Sequence, residues 1–164
     1  MKTEFEDIIK DIINNDKYKA LANETHHGLT RYDHSIRVAK GTYKIAKKMG
    51  IDYVSATRAA MLHDFFVNED FDSEDASGPE KLASHASLAV ANAKKHFNIN
   101  AKEENAILTH MFPVNLKIPN SMESAVVNIA DKGVSLYECS RFKLAMTIGV
   151  WALFVFNVIT FSNK

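Results

Sequence analysis

Cysteine, proline and glycine are all scarce in this chain, at one, three and six among 164 residues. A single cysteine, Cys139, rules out an internal disulfide and suits a reducing compartment. So few turn formers favour long helices over many short strands. Net charge is missing too, because 20 Lys and Arg balance 20 Asp and Glu. That balance offers no electrostatic case for nucleic acid, and none is expected as a partner. No repeat or low-complexity tract appears. The opening MKTEFEDIIKDIINND is acidic and amphipathic without an unbroken apolar run, unlike a signal peptide. What is present is a globular balance, 46% apolar and 24% charged, in a length that suits one domain with a buried core. The expected setting is the cytoplasm.

Four segments begin with a short polar residue followed three later by Glu, the capping-box pattern: Thr3/Glu6, Ser77/Glu80, Asn100/Glu103 and Asn120/Glu123. Asp52 is a simpler cap. Apolar residues then recur at three and four, as in Ile36, Ala39, Tyr43 and Ala46, with Val38, Ile45 and Met49 widening the stripe. Leu82, Ala86, Ala89, Ala93 and Phe97 repeat the pattern, as do Val126, Ala130, Val134 and Tyr137. These signals predict helices near 4–13, 15–22, 32–49, 52–64, 80–97, 102–111, 121–140 and 143–161. No segment alternates with period two, so the expected class is all-α. Residues 68–78, NEDFDSEDASG, read as the one clear loop, either a solvated connection or a lid beside a site.

Histidines and aspartates fall on the apolar faces of these helices. His34 lies on the line of Val38, Ile45 and Met49. His63 continues the small-residue face of Ala56, Ala59 and Ala60. His85 follows Leu82 by three, His110 follows Ala106 by four, and Asp131 sits between Val127 and Val134. One buried histidine in a helix is ordinarily a satisfied core residue. An aspartate on an apolar stripe, however, is costly to bury unless a cation or a full set of donors meets it. Imidazole and carboxylate together suit first-row divalent metals, with no thiolate required. Spacings of 29, 21, 25 and 21 residues between successive groups match about one helix plus a turn, so a bundle could gather them.

Neighbouring side chains on a helix diverge by about 100°, so His63 and Asp64 can share a metal only where their helix ends or distorts. A carboxylate has two oxygens and could bridge two metals, whereas an imidazole nitrogen binds one. Two metals about 3.5–4 Å apart would suit in-line displacement at phosphorus by an activated water.

With these residues in view, the sequence resembles the HD superfamily of phosphohydrolases. The matching residues are His34 in RYDHSIRVA, the pair His63-Asp64 in AAMLHDFF, and Asp131 in NIADKGVSLYE. His85 in ASHASLA and His110 in LTHMFP are similar to the binuclear branch, which includes bacterial diadenosine tetraphosphate hydrolases. The resemblance covers residues 26–140. It implies a helical bundle, a centre of two transition-metal ions (Fe or Mn, with Ni, Zn or Mg as alternatives) and hydrolysis of phosphate esters or anhydrides. By the family pattern His34, His63, Asp64 and Asp131 would hold one metal, and Asp64, His85 and His110 the second. Asp64 and Asp131 are the residues expected at the catalytic step. Many members follow the His-Asp pair with a small residue, Gly and Lys, where this chain has Phe65, Phe66 and Val67. Phosphate must then be gripped elsewhere. Arg31, Lys132, Arg37 and Arg58 are the candidates, each with surface charge as its plainer role. A GYP signature is also missing, which argues against a dedicated cyclic-di-GMP enzyme.

Residues 144–161, LAMTIGVWALFVFNVITF, carry no charge over 18 positions. A bilayer core needs ~20 apolar residues and ~17 at the least. A buried helix, closing the core or a homodimer interface, is favoured over a membrane anchor. The organisation expected is thus an N-terminal helical segment (1–25), a phosphohydrolase domain (26–140) and a hydrophobic C-terminal helix (141–164). The expected function is hydrolysis of a nucleotide or other small phosphorylated compound. The alternative is a catalytically silent nucleotide-binding or signalling module, free or tethered to a membrane by the C-terminal helix; silent relatives lose metal ligands, and none is missing here.

Overall fold

The structure, a computed structural model, describes residues 3–26, 29–67 and 78–162, with the side chains of 25, 26, 29, 78–83, 142 and 145–162 outside that description. Its helices are α1 (Glu4–Ile8), α2 (Lys10–Asn14), α3 (Asp16–Lys19), α4 (Arg31–Met49), α5 (Tyr53–Leu62), α6 (Gly78–His96), α7 (Ala101–Thr109) and α8 (Met122–Ser162), with a 3-10 turn at Ala20–Asn23. Two strands of two residues, Thr25–His26 and Leu29–Thr30, pair antiparallel just before α4. The class is all-α, as the periodicity implies.

Local chemistry explains most boundaries. Capping boxes form at Thr3/Glu6 and Asn100/Glu103, and Asp52 caps α5 by accepting from the Ser55 N–H. The Asn120/Glu123 box does not form. Ser121 caps α8 instead, its hydroxyl accepting from the Ser124 N–H at 3.1 Å, because Glu123 turns away to Lys102 and the Asp52 N–H. Ser77 and the 68–77 part of the expected loop lie outside the described residues. Gly50 ends α4 in the left-handed region at φ 69°, where its lack of a Cβ matters, and its N–H reaches the Ala46 and Lys47 carbonyls. The predicted helices 121–140 and 143–161 are one continuous helix of 41 residues, about 60 Å long.

The core gathers Ile12, Tyr18, Leu21, Val38, Met61, Leu62, Ile107 and Val127, all fully buried. Ala56, Ala59 and Ala60 are also fully buried, the small-residue face that lets other helices come close to α5. The N-terminal segment packs into this same core: the Tyr18 hydroxyl donates to the Met61 carbonyl at 2.7 Å. Two stripes fail at their outer ends. Ile45, Met49 and Tyr137 are exposed; toward the end of α4 the covered face runs through Thr42 and Ala46, both fully buried, rather than through Ile45 and Met49. Among the described residues, no helix is long and apolar enough to cross a membrane. Leu144 is exposed; whether the rest of the apolar stretch, 145–161, is buried or bilayer-inserted falls on side chains outside the description.

Candidate metal centre

Two histidines occupy matching positions, each one residue past a helix end. α5 stops at Leu62 and α7 at Thr109, so His63 and His110 cap them. Each ring hydrogen-bonds the carbonyl three residues back through Nδ1, at 2.7 Å to Ala60 and 2.7 Å to Ile107. A carbonyl only accepts, so Nδ1 carries the proton and Nε2 is turned inward. The helix end also answers the steric problem at His63-Asp64, since beyond Leu62 both side chains can face one point.

Asp64 and Asp131 stand between the rings. One Asp64 oxygen, Oδ2, lies 3.6 Å from His63 Nε2; the other, Oδ1, lies 3.7 Å from His85 Nε2 and 3.5 Å from His110 Nε2. The two oxygens thus face different histidine groups. Asp131 Oδ1 is 3.1 Å from His34 Nε2 and 3.6 Å from His63 Nε2, and it also accepts from the Ser135 hydroxyl at 3.4 Å. Three overlapping sets have ligand atoms all within 4.8 Å of one another: His34, His63 and Asp64; His63, His110 and Asp131; Asp64, His85 and His110. All six residues nominated from sequence therefore converge.

The electrostatics match a site built for positive charge. Burial opposes protonation of His63, yet Asp64 and Asp131 outweigh it and raise its pKa to about 9. Burial likewise opposes ionisation of Asp131, but hydrogen bonds from His34 and His63 hold it well below the usual carboxylate range. Asp64 is depressed against its burial by the charge on His63 and by His110. His34 is raised, its bonds to Asp131 and Glu138 overcoming burial. His85 goes the other way, lowered by burial to about 4, and keeps a free lone pair.

Whether a metal fits can be tested on two atoms. His63 Nε2 is buried and has no hydrogen-bond partner. With Nδ1 committed as a donor, it presents a bare lone pair to two carboxylates unless a proton or cation lies between. His85 Nε2 and His110 Nε2 approach to 3.0 Å, and His110 Nε2 is also a lone pair in the neutral ring. Lone pairs and carboxylate oxygens aimed at a common space are what an N/O-ligated divalent ion requires. The residues fit the group.

Several contributors are not among the residues nominated from sequence. Glu138 accepts from His34 Nδ1 at 2.8 Å, and its other oxygen accepts from Arg37 at 3.2 Å. Its signal was its place two turns after Asp131 on the same helical face. Asn128 donates to the carbonyls of Thr109, His110 and Phe112, fixing the turn that carries His110. Phe66 stacks on His85, with ring centroids 5.3 Å apart and planes 20° apart.

The four phosphate candidates separate. Lys132 donates to the His110 carbonyl at 3.0 Å, at the edge of the cluster. Arg37 reaches it through Glu138 and is half exposed. Arg31 lies over the Phe66 ring at 4.1 Å and donates to the Phe66 carbonyl, so it braces the segment behind His85. Arg58 is not brought to the cluster; its contacts are Asp11, Glu103 and the Ile8 carbonyl, which tie α5 to α2 and α7.

Comparison with known proteins agrees with this geometry. The profile of the HD domain matches residues 31–133. Ribonuclease Y of Ureaplasma parvum serovar 3 is 33% identical over 105 residues, covering 64% of this chain and 20% of the relative. Ribonuclease Y of Mycoplasma capricolum subsp. capricolum is 36% identical over 107 residues, 65% of this chain and 19% of the relative. The chain thus spans about a fifth of the length of these relatives. No solved structure gives a significant match.

Proposed function

The chain belongs to the HD-domain family, and from that premise we propose that it is a metal-dependent phosphohydrolase acting on a phosphate ester or anhydride of a nucleotide or small phosphorylated metabolite. The observation that carries this reading is the buried, unpartnered Nε2 of His63, 3.6 Å from one oxygen of each aspartate. On this reading His34, His63, Asp64 and Asp131 would hold one ion, and Asp64, His85 and His110 a second. Divalent ions held there, with Fe or Mn favoured, would supply Lewis acidity toward phosphoryl oxygens and acidify a water.

The protein's own residues supply order and charge. Asp64 and Asp131 stay ionised because neighbouring imidazoles depress them, and they hold the cation-binding charge where it is needed. The Ala60 and Ile107 carbonyls fix the tautomers of His63 and His110, while Glu138 fixes the His34 ring. Lys132 is the cation best placed to meet a phosphate oxygen beside Asp131.

A second substrate reading is a phosphodiester of RNA, favoured by the name Ribonuclease Y of the relatives that this chain matches over their HD regions. The zero net charge weighs against a long polyanion. Elemental analysis of wild type beside Asp64→Ala, with hydrolysis of bis(p-nitrophenyl) phosphate, tests the proposal. About two Fe or Mn per chain, lost in the variant together with activity, is the expected result. A wild-type protein that takes up no metal on reconstitution would overturn it and leave the silent binding module. A panel of mononucleotides, dinucleotides and short RNA then separates the substrate readings.

A further inference from the structure

Beside the candidate metal centre lies a cleft of about 90 Å³ lined by Lys17, Lys95, His96, Asn92, Phe65 and Phe66. No carboxylate contributes to its described lining. Lys17 comes from α3 and Lys95 from the last turn of α6. Both lysines are exposed, and neither makes an ion pair with a described residue, whereas Lys19 and Lys94, their neighbours, pair with Asp16 and Glu104. Two ammonium groups around a cleft whose described lining holds no counter-charge suit an anion.

The same segment joins this cleft to the histidine cluster. His85, Ala89, Asn92 and His96 recur at four, three and four, one face of α6. Along that face run Phe66, stacked on His85, and Phe65, whose carbonyl accepts from Asn92 at 3.1 Å and whose ring meets His96 at 5.7 Å. Lys95 is ten residues beyond His85, about 15 Å along the helix axis. The volume is well below the ~300 Å³ at which pockets for drug-sized ligands begin, so it suits a phosphate-sized group rather than a nucleoside.

We propose that the Lys17–Lys95–His96 cleft binds a second phosphate of the substrate, remote from the phosphate undergoing hydrolysis. The inference rests on the phosphohydrolase reading for the word substrate, but not for the binding site itself. A mononucleotide has no phosphate to reach the cleft. A short oligonucleotide or a dinucleoside polyphosphate does, and both share the chemistry of two separated phosphates.

The test is binding to full-length, metal-reconstituted protein by fluorescence anisotropy, using a fluorescein-labelled phosphorothioate tetranucleotide that resists cleavage. Unlabelled uridine monophosphate and diadenosine tetraphosphate serve as competitors. Lys17→Gln and Lys95→Gln should each weaken tetranucleotide binding about 3–10-fold and reduce the slope of log Kd against log salt by about 0.7. Lys48→Gln, an equal charge change on α4 away from the cleft, should do neither. Competition by diadenosine tetraphosphate that is lost in the lysine variants identifies the polyphosphate source; competition that is insensitive to them identifies the oligonucleotide. Tetranucleotide binding that is undetectable, or equally affected by all three variants, overturns the proposal. Lysine-dependent binding in a protein without hydrolytic activity would sink the phosphohydrolase reading and leave this site standing.

Discussion

Glu138 receives the Nδ1 proton of His34 at 2.8 Å, across 104 residues of sequence, and Arg37 holds the other carboxylate oxygen at 3.2 Å. This contact leaves His34 Nε2 facing Asp131 at 3.1 Å. Carboxylate, imidazole and site are thus in line, an arrangement that orients a ligand ring and raises its basicity. Glu138→Gln keeps the shape and removes the charge. Metal affinity should fall about 10–100-fold while the melting temperature of the metal-free protein changes little. Competition with a fluorescent chelator measures this; an unchanged affinity would show that Glu138 only fills space.

Phe66 is the middle layer between the Arg31 guanidinium and the His85 ring. Phe66→Leu keeps an apolar side chain but loses both faces of the stack. We expect a cost of about 1–2 kcal/mol in stability. On the proposed two-ion reading, metal content should drop toward one ion, because His85 belongs only to the set with Asp64 and His110. Thermal melts paired with elemental analysis check it; full metal content in the variant would deny Phe66 a role in placing His85.

The site was far more legible in sequence than its surroundings, for a physical reason. His34, His63, Asp64, His85, His110 and Asp131 violate the apolar pattern of their own helices, and such violations show in one dimension. Glu138 and Asn128 were hidden because their partners are remote: a ring 104 residues away and the carbonyls of a turn. Arg58 looked like Arg31 on paper, and only the fold separates a brace to Asp11 and Glu103 from one behind His85. The helix faces were readable near the centre and misleading at Ile45 and Met49, because the covered face of α4 runs through Thr42 and Ala46 instead. The break expected near residue 141 had no turn former to make it, and α8 runs straight through.

Tyr18 is the buried joint nearest the site between the N-terminal segment and the rest, alongside the Arg58–Asp11 pair. Its buried hydroxyl donates to the Met61 carbonyl, two residues before His63, and its ring meets Tyr32 and Phe65. Tyr18→Phe would strand that carbonyl without a donor, costing about 1–3 kcal/mol. The melting temperature should fall roughly 2–10 °C. Removal of residues 1–25 should unfold the chain, not release a stable 26–140 unit. A cooperative melt of that fragment would separate the segments after all.

Asp52 carries a pH dependence whose sign is fixed by its contacts. The Ser55 N–H lowers its pKa, burial opposes, and Lys102 adds to the lowering. Glu123, which also meets Lys102, is lowered against its own burial. A depressed carboxyl gives stability that is complete above its unfolded pKa, near 4, and is lost as pH falls through the folded value. Asp52→Asn should therefore melt about 2 °C below wild type at pH 7, the size allowed by a largely exposed pair. The gap should close as pH falls below the unfolded value and through the lower folded one. A gap that persists in acid would assign the effect to packing rather than charge.

His63 gives the most direct reading of the site without any substrate. In the metal-free protein its Nε2 lone pair faces two ionised carboxylates, and taking up a proton, with a pKa near 9, is the only relief the described residues offer. A cation that binds the folded state alone must then stabilise it by mass action, about 2.7 kcal/mol at a hundred times its dissociation constant. For a chain of this length that is a rise in melting temperature of roughly 5–10 °C on adding Mn, reversed by a chelator. His63→Ala should abolish the rise, since its nitrogen serves two of the three ligand sets. Lys48→Gln should keep it. If wild type shows no shift while remaining folded, the aspartates and histidines are a self-satisfied polar core, and the argument from the orphaned nitrogen fails with it.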